Sequence, residues 1–226
     1  MSLKKTGNYN KIEYFLYDDD IIEEKNVIRQ NFSSCDIGKK KIYGFKDFND
    51  ALLIMRDKKI TDSNYSIMHS DILKDNNNNS IVLVVGCVDN IDARINIAKM
   101  IEEYVNTYIT SMQQFIYYID SGNLTDTGQI LVFDYSRNRI RASSNTSKIL
   151  EIFDNEETRK LDKIQPSCDD NGDQTIMANL QAASILYNVI TELLIKKDTT
   201  IKKIAFMRYE RDIDCDTVAQ LKNLML

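Results

Sequence analysis

The run Ile81-Val82-Leu83-Val84-Val85 constrains the fold of this chain more than any other segment. Five consecutive apolar residues, most of them β-branched, predict a central parallel strand that is buried on both faces. The run ends at Gly86, and apolar residues at helical spacing follow over 91–105. A buried strand that leads into an amphipathic helix predicts an α/β fold with right-handed crossovers.

Other segments continue this alternation of strands and helices. We predict strands at Ile12–Tyr17, Phe115–Ile119 and Ile204–Arg208, a hairpin formed by Ile130–Asp134 and Arg139–Ala142, and helices at Asp47–Met55, Asp173–Lys197 and Thr217–Leu226. The expected architecture is a Rossmann-like, mostly parallel sheet flanked by helices, with an antiparallel extension in the C-terminal half. The 226 residues contain no linker rich in Pro, Gly or Ser, so one domain over 1–226 is the simpler prediction.

Charge and cysteine content exclude several functional classes. The net charge of −5 gives the chain no general attraction to nucleic acid or to an anionic membrane surface. The four cysteines form no C-x-x-C pair, which is typical of reduced thiols in a cytoplasmic protein. No apolar segment follows the first lysines, so we expect no signal peptide, and polar residues within 174–195 favour a buried helix over a membrane span.

Acidic residues follow two of the predicted strands. Asp18 to Asp20 come after the first strand, and Asp89 comes after the β-branched strand. Ligands of open α/β sheets bind beyond the carboxyl ends of the strands. Asp18 could accept hydrogen bonds from a ribose, Arg29 and Lys41 could hold phosphates, and Asp89 could bind Mg²⁺. The alternative is a solvated polar loop with ordinary surface charges.

The same residues resemble the motifs of one enzyme family, the E1-like activating enzymes (the ThiF/MoeB/HesA family). Asp18 to Gln30 is similar to D-x-D-x-V-E-x-x-N-L-x-R-Q, and Asp36 to Lys41 to D-I-G-x-x-K. Cys87 to Arg94 matches C-x-D-N-x-x-x-R. Weaker counterparts are Asp120-x-Gly122-Asn123, Gly128-Gln129 and Pro166-Ser167-Cys168. The order and approximate spacing agree from about Tyr14 to Leu194.

The resemblance implies ATP-dependent adenylation of a carboxylate. Such enzymes bind Mg-ATP and activate the C-terminal glycine of a ubiquitin-like or sulfur-carrier β-grasp protein, and a homodimer is expected. By resemblance, Asp18 takes the ribose, Asn26, Arg29 and Lys41 hold the phosphates, and Asp89 coordinates Mg²⁺. Some relatives use a cysteine in a second half-reaction, and Cys168 is the candidate here because it lies in a polar segment. Gln30 and Asn90 are expected to orient neighbours, and Arg94 is expected to pair with a carboxylate on its own helix or at a subunit contact.

The sequence departs from the family pattern in two places. It has no pair of C-x-x-C motifs, so we predict no structural zinc. None of its seven glycines forms a G-x-G, so the family's G-x-G-G-x-G strand and loop, expected before Tyr14, is missing. Truncation is the favoured explanation, and weak or absent ATP binding is the expected consequence. The alternatives are an inactive E1-like binding or dimerisation module, a strand supplied by another chain, and an NAD-linked oxidoreductase.

Overall fold

The computed structural model describes residues 12–44, 52–61, 63–73, 80–108, 115–123, 127–136, 139–156, 158–159, 176–196 and 203–207. The chain divides into two compact units, Met1–Asn64 and Tyr65–Leu226. Two units of this kind occur both within single domains and as separate domains, so the expectation of one domain stays a prediction. The predicted terminal helix Thr217–Leu226 lies outside the described residues.

The first unit contains a pair of parallel strands. Strand β1 (Glu13–Tyr17) pairs in parallel with β2 (Leu52–Arg56), and helix α1 (Glu24–Arg29) lies between them in sequence. Two short 3₁₀ turns, Ser34–Asp36 and Lys41–Gly44, complete the described part of the unit. The predicted strand at Ile12–Tyr17 is confirmed.

The helix predicted at Asp47–Met55 is wrong over the part that the structure describes. Leu52 to Met55 belong to β2, whereas residues 47–51 lie outside the described ranges. The run Leu-Leu-Ile-Met is apolar without interruption, and such a short run fits a strand as well as a helix. Parallel pairing with β1 therefore decides its conformation.

The second unit contains a four-stranded sheet. Its strands are β3 (Ile81–Gly86), β4 (Phe115–Asn123), β5 (Thr127–Asp134) and β6 (Lys203–Met207), in the order β3-β4-β5-β6. The β3–β4 pair is parallel, and the β4–β5 and β5–β6 pairs are antiparallel. The α/β class, the Rossmann-like parallel pairs and the antiparallel C-terminal extension are confirmed.

The structure corrects the predicted central position of β3 in the sheet. Among the described strands β3 pairs only with β4, so it ends the sheet order there instead of occupying its centre. Its burial also alternates near the end, because Val84 is buried whereas Val85 is 37% exposed. The uninterrupted apolar run predicted the strand itself but not its place in the sheet.

Helices form the rest of the second unit. They are α2 (Tyr65–Leu73), α3 (Ile91–Tyr108), α4 (Arg139–Phe153) and α5 (Ile176–Thr191), the last continuing as a π-helical turn, Glu192–Lys196. Helix α4 contradicts the predicted strand at Arg139–Ala142. Part of the core lies between the sheet and α5, where Ile119 and Ile130 cluster with Val189. No described helix is long and apolar enough to cross a membrane.

Candidate functional site

In the first unit, three aspartates cluster directly after β1. One carboxylate oxygen from each of Asp18, Asp19 and Asp20 lies within 4.8 Å of the others. The Asp18 side chain accepts a hydrogen bond from the Asp20 backbone N–H at 2.7 Å, which turns the chain at the end of the strand. Burial raises the pKa of Asp18, and the negative charges of Asp20 and Asp19 add to the rise, whereas the Asp20 N–H and Lys41 oppose it.

The chain then returns to this cluster through the segment that carries Lys41. The Ile22 N–H donates to the Lys39 carbonyl, and the Gly38 N–H donates back to the Ile22 carbonyl, both at 2.8 Å. Gly38 has a φ of +85°, a conformation that glycine adopts without strain. Ile22 is almost fully buried and anchors the turn. The two sequence motifs therefore fold against each other.

Lys41 is the positioned cation of this turn. Its Nζ lies 2.7 Å from Oδ2 of Asp20, 21 residues away in sequence. The Lys41 side chain is only 17% exposed, compared with 52% for Lys39, which pairs with Asp36 instead. The cluster therefore holds the ammonium in place, and an anionic ligand would compete with Asp20 for its hydrogen bonds. The structure thus brings together two predicted residues, Asp18 and Lys41, around Asp20.

The other two predicted phosphate ligands lie on α1. The Oδ1 of Asn26 accepts the backbone N–H of Glu23 at 2.8 Å and so caps the helix. Its amide nitrogen makes no hydrogen bond within the described part of the chain. Arg29 is the last residue of α1, and its side chain lies outside what the structure describes. The ligand roles of Asn26 and Arg29 stay predictions.

In the second unit, Asp89 lies in the short loop between β3 and α3. Its side chain is exposed, and its Oδ1 accepts a hydrogen bond from the Asn90 amide at 3.2 Å. The Asn90 Oδ1 also accepts the Ala93 N–H at 2.8 Å, which makes Asn90 the N-cap of α3. Strand β3 and this cap hold the loop from both sides, so Asp89 lies at a defined position after a sheet strand.

A buried polar cluster lies beneath that loop. Arg94 forms an ion pair with Asp120 and donates a second hydrogen bond to the Val88 carbonyl at 2.6 Å. The Tyr118 hydroxyl donates to the other Asp120 oxygen at 2.9 Å. Burial raises the pKa of Asp120 and of Tyr118, whereas the Arg94 guanidinium opposes both rises. Sequence reasoning expected Arg94 to pair on its own helix or at a subunit contact, and its partner lies on β4.

Cys87 is not an activated nucleophile. Cys87 keeps solvent contact, yet desolvation of its thiol and the nearby Asp120 charge raise the pKa to about 11, against the opposing effect of Arg94. A thiol with such a pKa is almost entirely protonated at neutral pH. Cys35 is exposed and lies near the Ser33 hydroxyl. Cys168, the predicted second-step thiol, lies outside the described residues.

We expect the raised pKa of Cys87 to be visible in its alkylation rate. With Cys35, Cys168 and Cys215 replaced by serine, the rate with iodoacetamide should rise about tenfold per pH unit from pH 7 to 9.5, because the thiolate fraction keeps growing below the pKa. Free glutathione, the control, levels off within that range as it ionises. A plateau of the Cys87 rate below pH 9.5 would contradict the expectation.

Each unit has two parallel strands that a helix separates in the sequence, and an acidic loop follows the first strand of each pair. This pattern is typical of a Rossmann-like α/β protein. The family model described as the ThiF family matches residues 12–213. The chain belongs to the ThiF family.

Comparison with solved structures supports the same fold. The chain is similar to the crystal structure of selenomethionine PaaA, with 13% identity and a TM-score of 0.53. The match covers 88% of this chain and 61% of that chain, so this chain spans less than two thirds of the length of PaaA. At this identity the likeness concerns the fold alone. The comparison with curated proteins gave no match.

Proposed function

We propose that this chain is an ATP-dependent adenylyltransferase of the E1-like type. Its substrate would be the C-terminal carboxylate of a ubiquitin-like or sulfur-carrier β-grasp protein, and it would act in the cytoplasm as a homodimer. The observation that carries the proposal is the Lys41–Asp20 pair beside Asp18, because it unites the two motifs that the family uses for the nucleotide. Family membership supports the same assignment.

The described residues have the chemistry that a nucleotide requires. A half-buried carboxylate such as Asp18 accepts hydrogen bonds from ribose hydroxyls, and Lys41 supplies a positive charge for phosphate oxygens. The Asn26 amide nitrogen is a further donor, and Arg29 follows by resemblance. The carboxylate of Asp89 is a ligand type that Mg²⁺ prefers, and the bound ion would neutralise charge on the triphosphate.

The proposed reaction needs no side-chain nucleophile in its first step. An oxygen of the substrate carboxylate attacks the α-phosphorus of ATP, the bond from that phosphorus to the bridging oxygen breaks, and pyrophosphate leaves with its electron pair. The product is an acyl-adenylate. The protein contributes by alignment and by stabilising the leaving group, which is the role proposed for Lys41, Asn26 and Arg29. Transfer to a thiol such as Cys168 would be a later step.

A binding module without catalysis is the second candidate function. It is favoured by one observation, the absence of any G-x-G among the seven glycines. Backbone N–H groups of a glycine-rich loop usually surround the phosphates, so without them we expect weak ATP affinity. An NAD-linked oxidoreductase fits less well, because hydride transfer requires neither Mg²⁺ nor a lysine on a triphosphate.

We expect Lys41→Gln to weaken MgATP binding about tenfold, which corresponds to about 1.4 kcal/mol for one charge-assisted hydrogen bond. Without the positive charge of Lys41, the Asp20 carboxylate would also repel the phosphates. Titration calorimetry at high protein concentration measures the change. Lys39→Gln is the matched control, since it removes the same charge two residues away and should change the affinity less than twofold. Equal losses in both variants would contradict a specific role for Lys41.

A second measurement separates adenylation from simple nucleotide binding. The probe is a glycyl-glycyl sulfamoyl-adenosine, a stable mimic of the acyl-adenylate. An adenylating site should bind it at least a hundredfold more tightly than ATP, because such a site is complementary to the reacting state. Affinity equal to that of ATP would favour the binding module. Wild-type protein that binds ATP but not the sulfamoyl-adenosine would overturn the proposed function.

A further inference from the structure

We infer that Arg94, held by Asp120 and Tyr118, is a positioning residue for the loop that carries Asp89. The inference rests on the proposed function, in which Asp89 binds the Mg²⁺ of MgATP. It assigns to a buried cluster the task of fixing the direction of an exposed carboxylate. The cluster lies on β4 and α3, whereas the loop connects β3 to α3.

Arg94 makes hydrogen bonds in two directions. One terminal nitrogen pairs with Asp120 on β4, and the other donates to the Val88 carbonyl at 2.6 Å. Val88 is the residue immediately before Asp89. The planar guanidinium therefore joins the neighbouring strand to the loop backbone, a bridge that its fixed fork geometry makes stiff.

The guanidinium itself has little freedom. Asp120 is fully buried, and the Tyr118 hydroxyl fixes its second oxygen at 2.9 Å. The guanidinium carbon of Arg94 also lies 5.1 Å from the centre of the Phe153 ring on α4. Arg94 itself is buried. The Phe153 ring makes no directional bond with the guanidinium, so the Asp120 carboxylate, itself fixed by Tyr118, sets the direction in which Arg94 donates to the Val88 carbonyl.

Two glycines make room for the cluster. A Cβ atom on Gly86 would lie 2.9 Å from the Tyr118 hydroxyl oxygen. A Cβ atom on Gly122 would lie 3.0 Å from a terminal nitrogen of Arg94. Parallel pairing places Gly86 directly opposite Asp120. Two of the seven glycines of the chain thus lie where the cluster approaches the ends of β3 and β4.

A buried ion pair loses its hydration, and a well-packed apolar pair of similar volume is often as stable. Stability alone therefore does not explain why Arg94 and Asp120 are charged. An apolar side chain in place of Arg94 would leave the Val88 carbonyl without the donor that now restrains it. The charged pair differs from an apolar pair in that it also orients the loop, through the hydrogen bond from Arg94 to Val88.

The test uses the double variant Arg94→Met/Asp120→Asn. It removes both charges together, and the new asparagine oxygen still accepts the Tyr118 hydroxyl, so the fold should survive. We expect hydrogen exchange of the Gly86–Asn90 amides in the ligand-free protein to accelerate at least tenfold, with exchange in the middle of α3 unchanged. We also expect MgATP affinity to fall about tenfold while ATP affinity in EDTA changes less than twofold.

Phe153→Leu is the matched control. It removes the aromatic ring over Arg94 and keeps both hydrogen bonds of the guanidinium, so loop exchange and Mg²⁺ dependence should stay at wild-type values. Unchanged loop exchange in the double variant overturns the inference, as does an equal effect of Phe153→Leu. Wild-type protein whose ATP binding ignores Mg²⁺ overturns the proposed function, and the inference with it. If ATP binding by the wild type depends on Mg²⁺ and ATP binding by the double variant depends on it to the same extent, the inference is overturned but the proposed function is not.

Discussion

Asp89→Asn should abolish the Mg²⁺-dependent part of ATP binding and reduce ATP–pyrophosphate exchange about 10²–10³-fold. The substitution keeps the size and the exposed position of the side chain but removes the negative charge that Mg²⁺ requires. Without that charge, MgATP should bind no better than ATP in EDTA. Calorimetry with and without Mg²⁺ measures the first effect, and exchange of labelled pyrophosphate, with a β-grasp protein ending in Gly-Gly as substrate, measures the second.

Asp92→Asn is the matched control for this substitution. Asp92 lies in the first turn of α3, three residues after Asp89, and its exposed carboxylate pairs with Arg159. The Asp92→Asn substitution therefore removes the same charge close to the same helix terminus. We expect it to leave the Mg²⁺ dependence within twofold of the wild type. An Asp89→Asn protein that keeps its response to Mg²⁺ and its exchange rate would show that Asp89 does not bind the ion.

Long and uniform patterns allowed the sequence to predict the elements beside Asp89. Five consecutive apolar residues predicted β3, and apolar residues at helical spacing predicted α3. Each signal extends over enough residues to outweigh a single exception. The position of Asp89 at the end of a parallel strand follows from these two elements. The amino-acid pattern alone therefore predicts this part of the candidate site.

Helix α4 shows why a short pattern misled. The alternation Arg139-Ile140-Arg141-Ala142 suggested a strand, yet Ile140 is 79% exposed. The helix instead buries Ala142, Thr146 and Ile149, which recur at helical spacing. A polar threonine among the buried positions obscured that spacing. Its hydroxyl lies 3.2 Å from that of Tyr135, a tertiary contact that the local sequence does not reveal.

Side-chain pairing across elements could not be derived from spacing. The Lys41–Asp20 contact depends on the turn at Gly38 and on a bridge between Ile21 and Lys40. Family resemblance suggested that these motifs cooperate, but it did not provide the ion pair. The Arg94–Asp120 pair depends on the register of β3 and β4, two strands that helix α3 separates in the sequence. Because a helical crossover and not a tight turn joins these parallel strands, no turn geometry fixes their register in the sequence.

The Arg94–Asp120 pair should show strong energetic coupling in a double-mutant cycle. Arg94→Met and Asp120→Asn should each lower the free energy of unfolding by about 3–5 kcal/mol, because each leaves one buried charge without its partner. The double variant should lose clearly less than the sum of the two single losses, since no buried charge is left without its partner. Urea unfolding with unchanged m-values measures all four proteins. Additive losses in the double variant would contradict the expected coupling.

The Arg94→Met variant should in addition become less stable as the pH rises. Burial already raises the pKa of Asp120, and loss of the guanidinium removes the main effect that opposes this rise. A carboxyl whose pKa is higher in the folded state binds its proton more tightly there, so it destabilises the fold once the pH exceeds its unfolded value. The deficit relative to wild type should therefore be smaller at pH 5 than at pH 8. Asp120→Asn, which has no carboxyl to ionise, should lack this pH dependence, and the same slope in both variants would assign it to another group.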